Sequence, residues 1–101
     1  MNLGVNSIRA IDVSKCTELI ELHLHDNQLS TLDVSNNTKL EQLSCNENQL
    51  SEIDVSNNTA LKLLATGGNP LGAIDVSNNT ELIELHCYRN QLSALDISNN
   101  T

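Results

Sequence analysis

Leu19-Ile20-Glu21-Leu22-His23-Leu24-His25-Asp26-Asn27-Gln28-Leu29-Ser30-Thr31-Leu32-Asp33-Val34-Ser35-Asn36-Asn37-Thr38-Lys39 is one unit of a pattern that repeats every 21 residues. Leu19, Leu40, Leu61 and Leu82 fill one column, and Leu22, Leu43, Leu64 and Leu85 fill the next. Asn6, Asn27, Asn48, Asn69 and Asn90 form a third. It is followed by Ile8, Leu29, Leu50, Leu71 and Leu92, then by Ile11, Leu32, Ile53, Ile74 and Leu95. Each unit closes on a phrase that barely varies, Leu32-Asp33-Val34-Ser35 in this copy, and runs on to a Thr: Thr17, Thr38, Thr59, Thr80 or Thr101. Self-similarity at such a period is the mark of a stacked repeat, in which each unit buries its apolar face only against its neighbours.

Within a unit, Leu22 and Leu24 alternate with polar residues, which puts both on one face of a short strand. Copies stacked about 4.8 Å apart as parallel strands turn each column into an aliphatic ladder with hydrogen bonds between neighbours. The Asn after the strand has a mechanical reading. Where the chain turns inward, a buried amide satisfies main-chain groups that would otherwise cost about 1–3 kcal/mol each. About ten residues remain for the return path, too few for a two-turn helix with its connections. Leu32-x-Val34 alternates again, which predicts an extended or 3₁₀ convex side with little or no α-helix.

The pattern Leu19-x-x-Leu22-x-Leu24-x-x-Asn27-x-Leu29-x-x-Leu32, met in every unit, resembles the leucine-rich repeat family. The 21-residue unit with its Leu-Asp-Val-Ser phrase is similar to repeats of bacterial, often surface-exposed, members. The resemblance covers the whole chain. It implies a right-handed solenoid with a parallel sheet on the concave face, protein recognition through that sheet, no catalytic residues and no cofactor, in a secreted or cell-surface bacterial protein. Residues 1–101 read as a single domain of about five units with no terminal cap at either end. That predicts a fragment of a longer protein, and the rival expectation is end-to-end self-association through the bare ends.

Composition agrees with the class. Five Lys plus Arg stand against thirteen Asp plus Glu, and a formal charge of −8 disfavours nucleic-acid and anionic-lipid partners. No apolar run approaches the roughly 18 residues of a membrane span. Tyr88 is the only aromatic residue, which weakens a glycan-binding reading because sugar faces stack on rings. No nucleophile is paired with a base, and there is no glycine-rich phosphate loop.

The outward positions of the expected sheet are Glu21, His23 and His25; Gln42, Ser44 and Asn46; Leu63, Ala65 and Gly67; and Glu84, His86 and Tyr88. Of these, Glu21, His23, His25, Glu84, His86 and Tyr88, together with Arg89, are the expected partner-binding residues. Tyr88-Arg89 pairs two residue types that dominate interface hot spots. The alternative is a rigid spacer with no specific binding face. Glu21, His23 and His25 point the same way and have the residue types of a zinc site, but ordinary solvated strand positions explain them without a metal. Asp12, Asp33, Asp54, Asp75 and Asp96 stack like charges, which suits either capping of the local turn or calcium, and the turn suffices. The Asn36-Asn37-Thr38 triplet and its copies match glycosylation sequons as a by-product of that turn. Cys45 and Cys87 share a core column two units apart, about 9.5 Å, beyond disulfide reach. Cys16 lies on the return path, and the odd thiol count says little about redox compartment.

Overall fold

The computed structural model describes residues 1–90 and the strand at 94–96. Its strands are β1 (Glu21–His23), β2 (Gln42–Ser44), β3 (Leu63–Ala65), β4 (Ala73–Asp75), β5 (Glu84–His86) and β6 (Ala94–Asp96). A four-stranded parallel sheet runs β1-β2-β3-β5, with Glu21, Gln42, Leu63 and Glu84 in one register line and His23, Ser44, Ala65 and His86 in another. Each pairing advances by one 21-residue unit, so the expected sheet forms in the expected register. The first five residues add a rung: Leu3 N–H donates to the His23 carbonyl at 2.7 Å and Val5 N–H to that of His25 at 2.8 Å. There is no helix among the described residues. The molecule is a leucine-rich repeat solenoid.

The core is an array of columns. Leu22, Leu43 and Leu64 are fully buried, as are Leu24 and Cys45, Leu29, Leu50 and Leu71, and Leu40 and Leu61. Val13, Val34, Val55 and Val76 close it on the convex side. Burying a side chain of this size contributes roughly 1.5–3 kcal/mol, and the columns repeat that gain in every unit. This is how a core with no Phe or Trp is assembled.

The return path folds as two successive β-turns per unit. Asn37 N–H donates to the Val34 carbonyl at 3.0 Å, and Leu40 N–H to the Asn37 carbonyl at 3.2 Å; the same pair recurs at 13–19, 55–61 and 76–82. Turns of this kind reverse the chain within the few residues available. Among the described residues, convex strands pair only at β4 and β6, where Ile74 registers with Leu95. The equivalent stretches 10–12, 31–33 and 52–54 are extended without ladder pairing and border a shallow open groove.

Candidate recognition face

Two asparagine columns hold the turns that aim the sheet. The first follows the strand. Asn48 Nδ2 donates to Cys45 O in its own unit at 3.0 Å and to Leu24 O in the preceding one at 2.9 Å, while its Oδ1 accepts from Leu29 N–H at 3.1 Å. Asn27 and Asn69 repeat the arrangement. One amide thus satisfies three buried main-chain groups and locks adjacent units at one register. The second column lies in the convex turns, where Asn37 Nδ2 donates to Val13 O and Cys16 O, and Asn58 Nδ2 to Val34 O and Asn37 O.

Between strand and inner asparagine, the main chain passes through a left-handed conformation in every unit. Val5, Asp26, Glu47, Gly68 and Arg89 have φ values of 56°, 55°, 57°, 72° and 50°. These positions are 21 residues apart, and only Gly68 adopts the conformation without a side-chain penalty. Asp26 is of a type that tolerates this conformation, whereas Val5, Glu47 and Arg89 do not mark the column in the sequence.

The sheet face carries the expected outward positions. Glu21, His23 and His25 lie at one side, with His23 Nε2 3.9 Å from Glu21 Oε1. Glu84, His86 and Tyr88 lie on β5 and just beyond it, with His86 Nε2 3.3 Å from Glu84 Oε2. β2 and β3 separate the two groups, so the seven residues are two clusters. Among the described residues no three His, Cys, Asp or Glu side chains come together as a metal-ligand group. Between the clusters the floor is low: Gln42, Ser44 and Leu63 are half-buried, and Ala65 and Gly67 are buried.

Tyr88 explains why Gly67 is a glycine. A Cβ at Gly67 would stand 2.4 Å from Tyr88 Cε1, so the ring lies directly over the glycine one unit back. His25 repeats the device over Gly4, where a Cβ would meet its Cε1 at 2.3 Å. In the same column Asn46 Oδ1 instead accepts from Gly67 N–H at 2.7 Å. Arg89 is engaged as well as exposed: its guanidinium lies 5.3 Å from the Tyr88 ring centroid and pairs with the Glu47 carboxylate. Glu47 is the member of this end that sequence reasoning missed. Its signal was its place in the Arg89 column, two units earlier. Tyr88 stays 49% exposed, and Ile83, just before β5, is 79% exposed.

The aspartate column is local turn chemistry. Asp12, Asp33, Asp54 and Asp75 each accept from the N–H of the Ser two residues on, at 2.9 Å. Hydrogen bonds from Ser35 hold the Asp33 carboxyl below its ordinary pKa, and those from Ser14, Ser56 and Ser77 do the same for Asp12, Asp54 and Asp75. The exposed Asn36 is tied down too, donating to Ser14 O at 3.2 Å. Cys16, Cys45 and Cys87 are free thiols. Burial pushes the Cys45 thiol up to about 12. Cys87, half-buried, is more open than a fully buried core position.

A functional domain of InlJ from Listeria monocytogenes that includes a cysteine ladder matches with a TM-score of 0.96 at 39% identity, over 98% of this chain and 22% of that one. An internalin, inlF, from the same organism matches with a TM-score of 0.82 at 27% identity, over 94% of this chain and 36% of that one. The leucine-rich repeat ectodomain of the receptor kinase SOBIR1 from Arabidopsis thaliana matches at 0.68 and 26% identity, over 87% of this chain and 60% of that one. The chain therefore spans about a fifth to three fifths of the length of these similar structures. Residues 64–90 also match the LVIVD repeat, and here that segment folds as one turn of the parallel solenoid. No curated protein sequence matches the chain. No helix among the described residues is long and apolar enough to cross a membrane.

Proposed function

We propose that the chain is a protein-recognition stretch of a longer, exported bacterial protein, and that it contacts its partner through the concave sheet at the Tyr88 end. The observation that carries this reading is the placement of Tyr88: the single aromatic side chain is half exposed on the sheet face, held over Gly67 and beside Arg89. A ring pre-positioned in this way loses little conformational freedom on binding, which is why Tyr and Arg are common anchors of interfaces. Support for the bacterial setting comes from the InlJ and inlF matches. Cys45 and Cys87, sharing one column with Thr66 between them, parallel the cysteine ladder of the InlJ domain. The expected binding residues Glu21, His23, His25, Glu84 and His86 complete the face, and no catalytic role is assigned to any of them.

The test is photo-crosslinking. A photoreactive phenylalanine analogue is placed at Tyr88 and, separately, at convex Glu52, and crosslinked products are identified by mass spectrometry. The reading expects one defined product from position 88 and none from position 52, and loss of that partner in Tyr88→Ala without a change in melting temperature. Equal labelling from both positions would instead favour the rigid-spacer role.

A further inference from the structure

We infer that the segment recognised by the concave face is basic and extended, lying across the strands with two cationic side chains against Glu21 and Glu84 and a small aliphatic residue between them over Leu63 and Ala65. This rests on the sheet-face reading and names the chemistry of the partner.

The charges of the described residues are unequally satisfied. Glu18 pairs with Lys39, Glu41 with Lys62 at 3.2 Å, and Glu47 with Arg89. Lys39 and Lys62 are matched to an acid one unit back, and Arg89 to an acid two units back. Among the described residues Glu21 and Glu84 have no Lys or Arg partner; the imidazoles of His23 and His86 stand beside them. The terminal amino group of Met1 bonds to the main-chain carbonyl of Glu21, not to its carboxylate. Both glutamates are more than half exposed. The face therefore offers two acids open to a partner's cations, in a chain of net charge −8 that attracts a basic partner over a distance.

Geometry sets the spacing. Glu21 and Glu84 occupy the same register line three strands apart, about 14 Å at the usual spacing between strands. An extended peptide covers that in about four residues. Between them lie Gln42 and Leu63 on that line and Ser44 and Ala65 on the next, a low floor without a charged group. A long or charged residue has no partner at the centre, whereas a Val or Leu side chain covers Leu63. The pattern expected of the bound segment is cation-x-aliphatic-x-cation.

The test uses the intact protein at pH 8, where imidazole is in general neutral, and two synthetic peptides free of aromatics: Gly-Ser-Lys-Ser-Leu-Ser-Lys-Ser-Gly and the same peptide with Glu at both Lys positions. Tyr88, the only aromatic residue, supplies the fluorescence signal, and calorimetry supplies a second reading. Saturable binding of the Lys peptide alone is expected. Glu21→Gln and Glu84→Gln should each weaken it by about two- to fivefold, the range given by exposed ion pairs. The affinity should also fall with added salt. Absence of binding, equal binding of the two peptides, or indifference to both Gln variants would overturn the inference. Any of these results together with a crosslinked partner at position 88 would leave the sheet-face reading standing, so the two failures are distinguishable.

Discussion

The guanidinium of Arg89 reaches back over two repeat units to the carboxylate of Glu47, passing above Gly68, the residue that occupies the same column between them. All three lie in the left-handed column that ends each concave strand. The pair closes only because the middle unit presents no side chain there: a Cβ on Gly68 would stand 2.5 Å from the Glu47 carboxylate.

Gly68→Ala should therefore lower stability by about 1–2 kcal/mol, combining the left-handed penalty with displacement of Glu47. Urea unfolding measures it. A variant as stable as the parent would contradict the left-handed assignment at this position.

Gly67→Ala tests a different contact, since its Cβ would press on the Tyr88 ring at 2.4–2.6 Å. The expected result is a change in Tyr88 fluorescence and a loss of about 1–3 kcal/mol, the usual range for overpacking. In a Tyr88→Ala background the same substitution should cost far less. Equal costs in both backgrounds would mean that the ring does not sit over the glycine.

Asn48→Ala should destabilise by about 1–3 kcal/mol, because it orphans the buried Leu29 N–H and removes one of the two amide donors at each of the Leu24 and Cys45 carbonyls, which keep those of Asn27 and Asn69. Asn36→Ala, at an exposed turn position, should stay within about 0.5 kcal/mol. Similar losses for the two would remove the distinction between the columns.

Thr66 stands between Cys45 and Cys87 with its hydroxyl fully buried and without a hydrogen-bond partner. Thr66→Val keeps the shape and deletes the orphaned group, so a gain of about 1 kcal/mol is expected in thermal or urea unfolding. Destabilisation would show that the hydroxyl finds a partner in solution.

The aspartate column predicts a direction with pH. Asp12, Asp33, Asp54 and Asp75 have folded-state pKa values below the ordinary 3.8, held there by their Ser hydrogen bonds. The stability they contribute is present above that ordinary value and is lost as pH falls through the lower folded values. Melting temperature should drop on acidification below about pH 4. The drop should shrink in the Asp33→Asn/Asp54→Asn double variant; an unchanged acid limb would sink the assignment.

The sequence alone determined the unit, the register, the buried columns and the absence of helix among the described residues, because in a solenoid each unit meets mainly its neighbours and the same side chains recur at the same height. The roles of Asn27, Asn48 and Asn69 and of the Asp-x-Ser turns were legible for the same reason: their hydrogen bonds run within a unit or to the adjacent one. Tertiary structure alone decided what happens where the columns stop being uniform. The left-handed column carries Val5, Glu47 and Arg89 beside Asp26 and Gly68, and the types of those three give no hint of positive φ. The seating of Tyr88 over Gly67, the Glu47–Arg89 pair and the unmatched charges of Glu21 and Glu84 depend on which neighbours a side chain finds one to three units away. Periodicity specifies where a residue stands. Whether its charge or ring is already satisfied there is settled only when the stack is built, since that depends on the space and partners left by the units on either side.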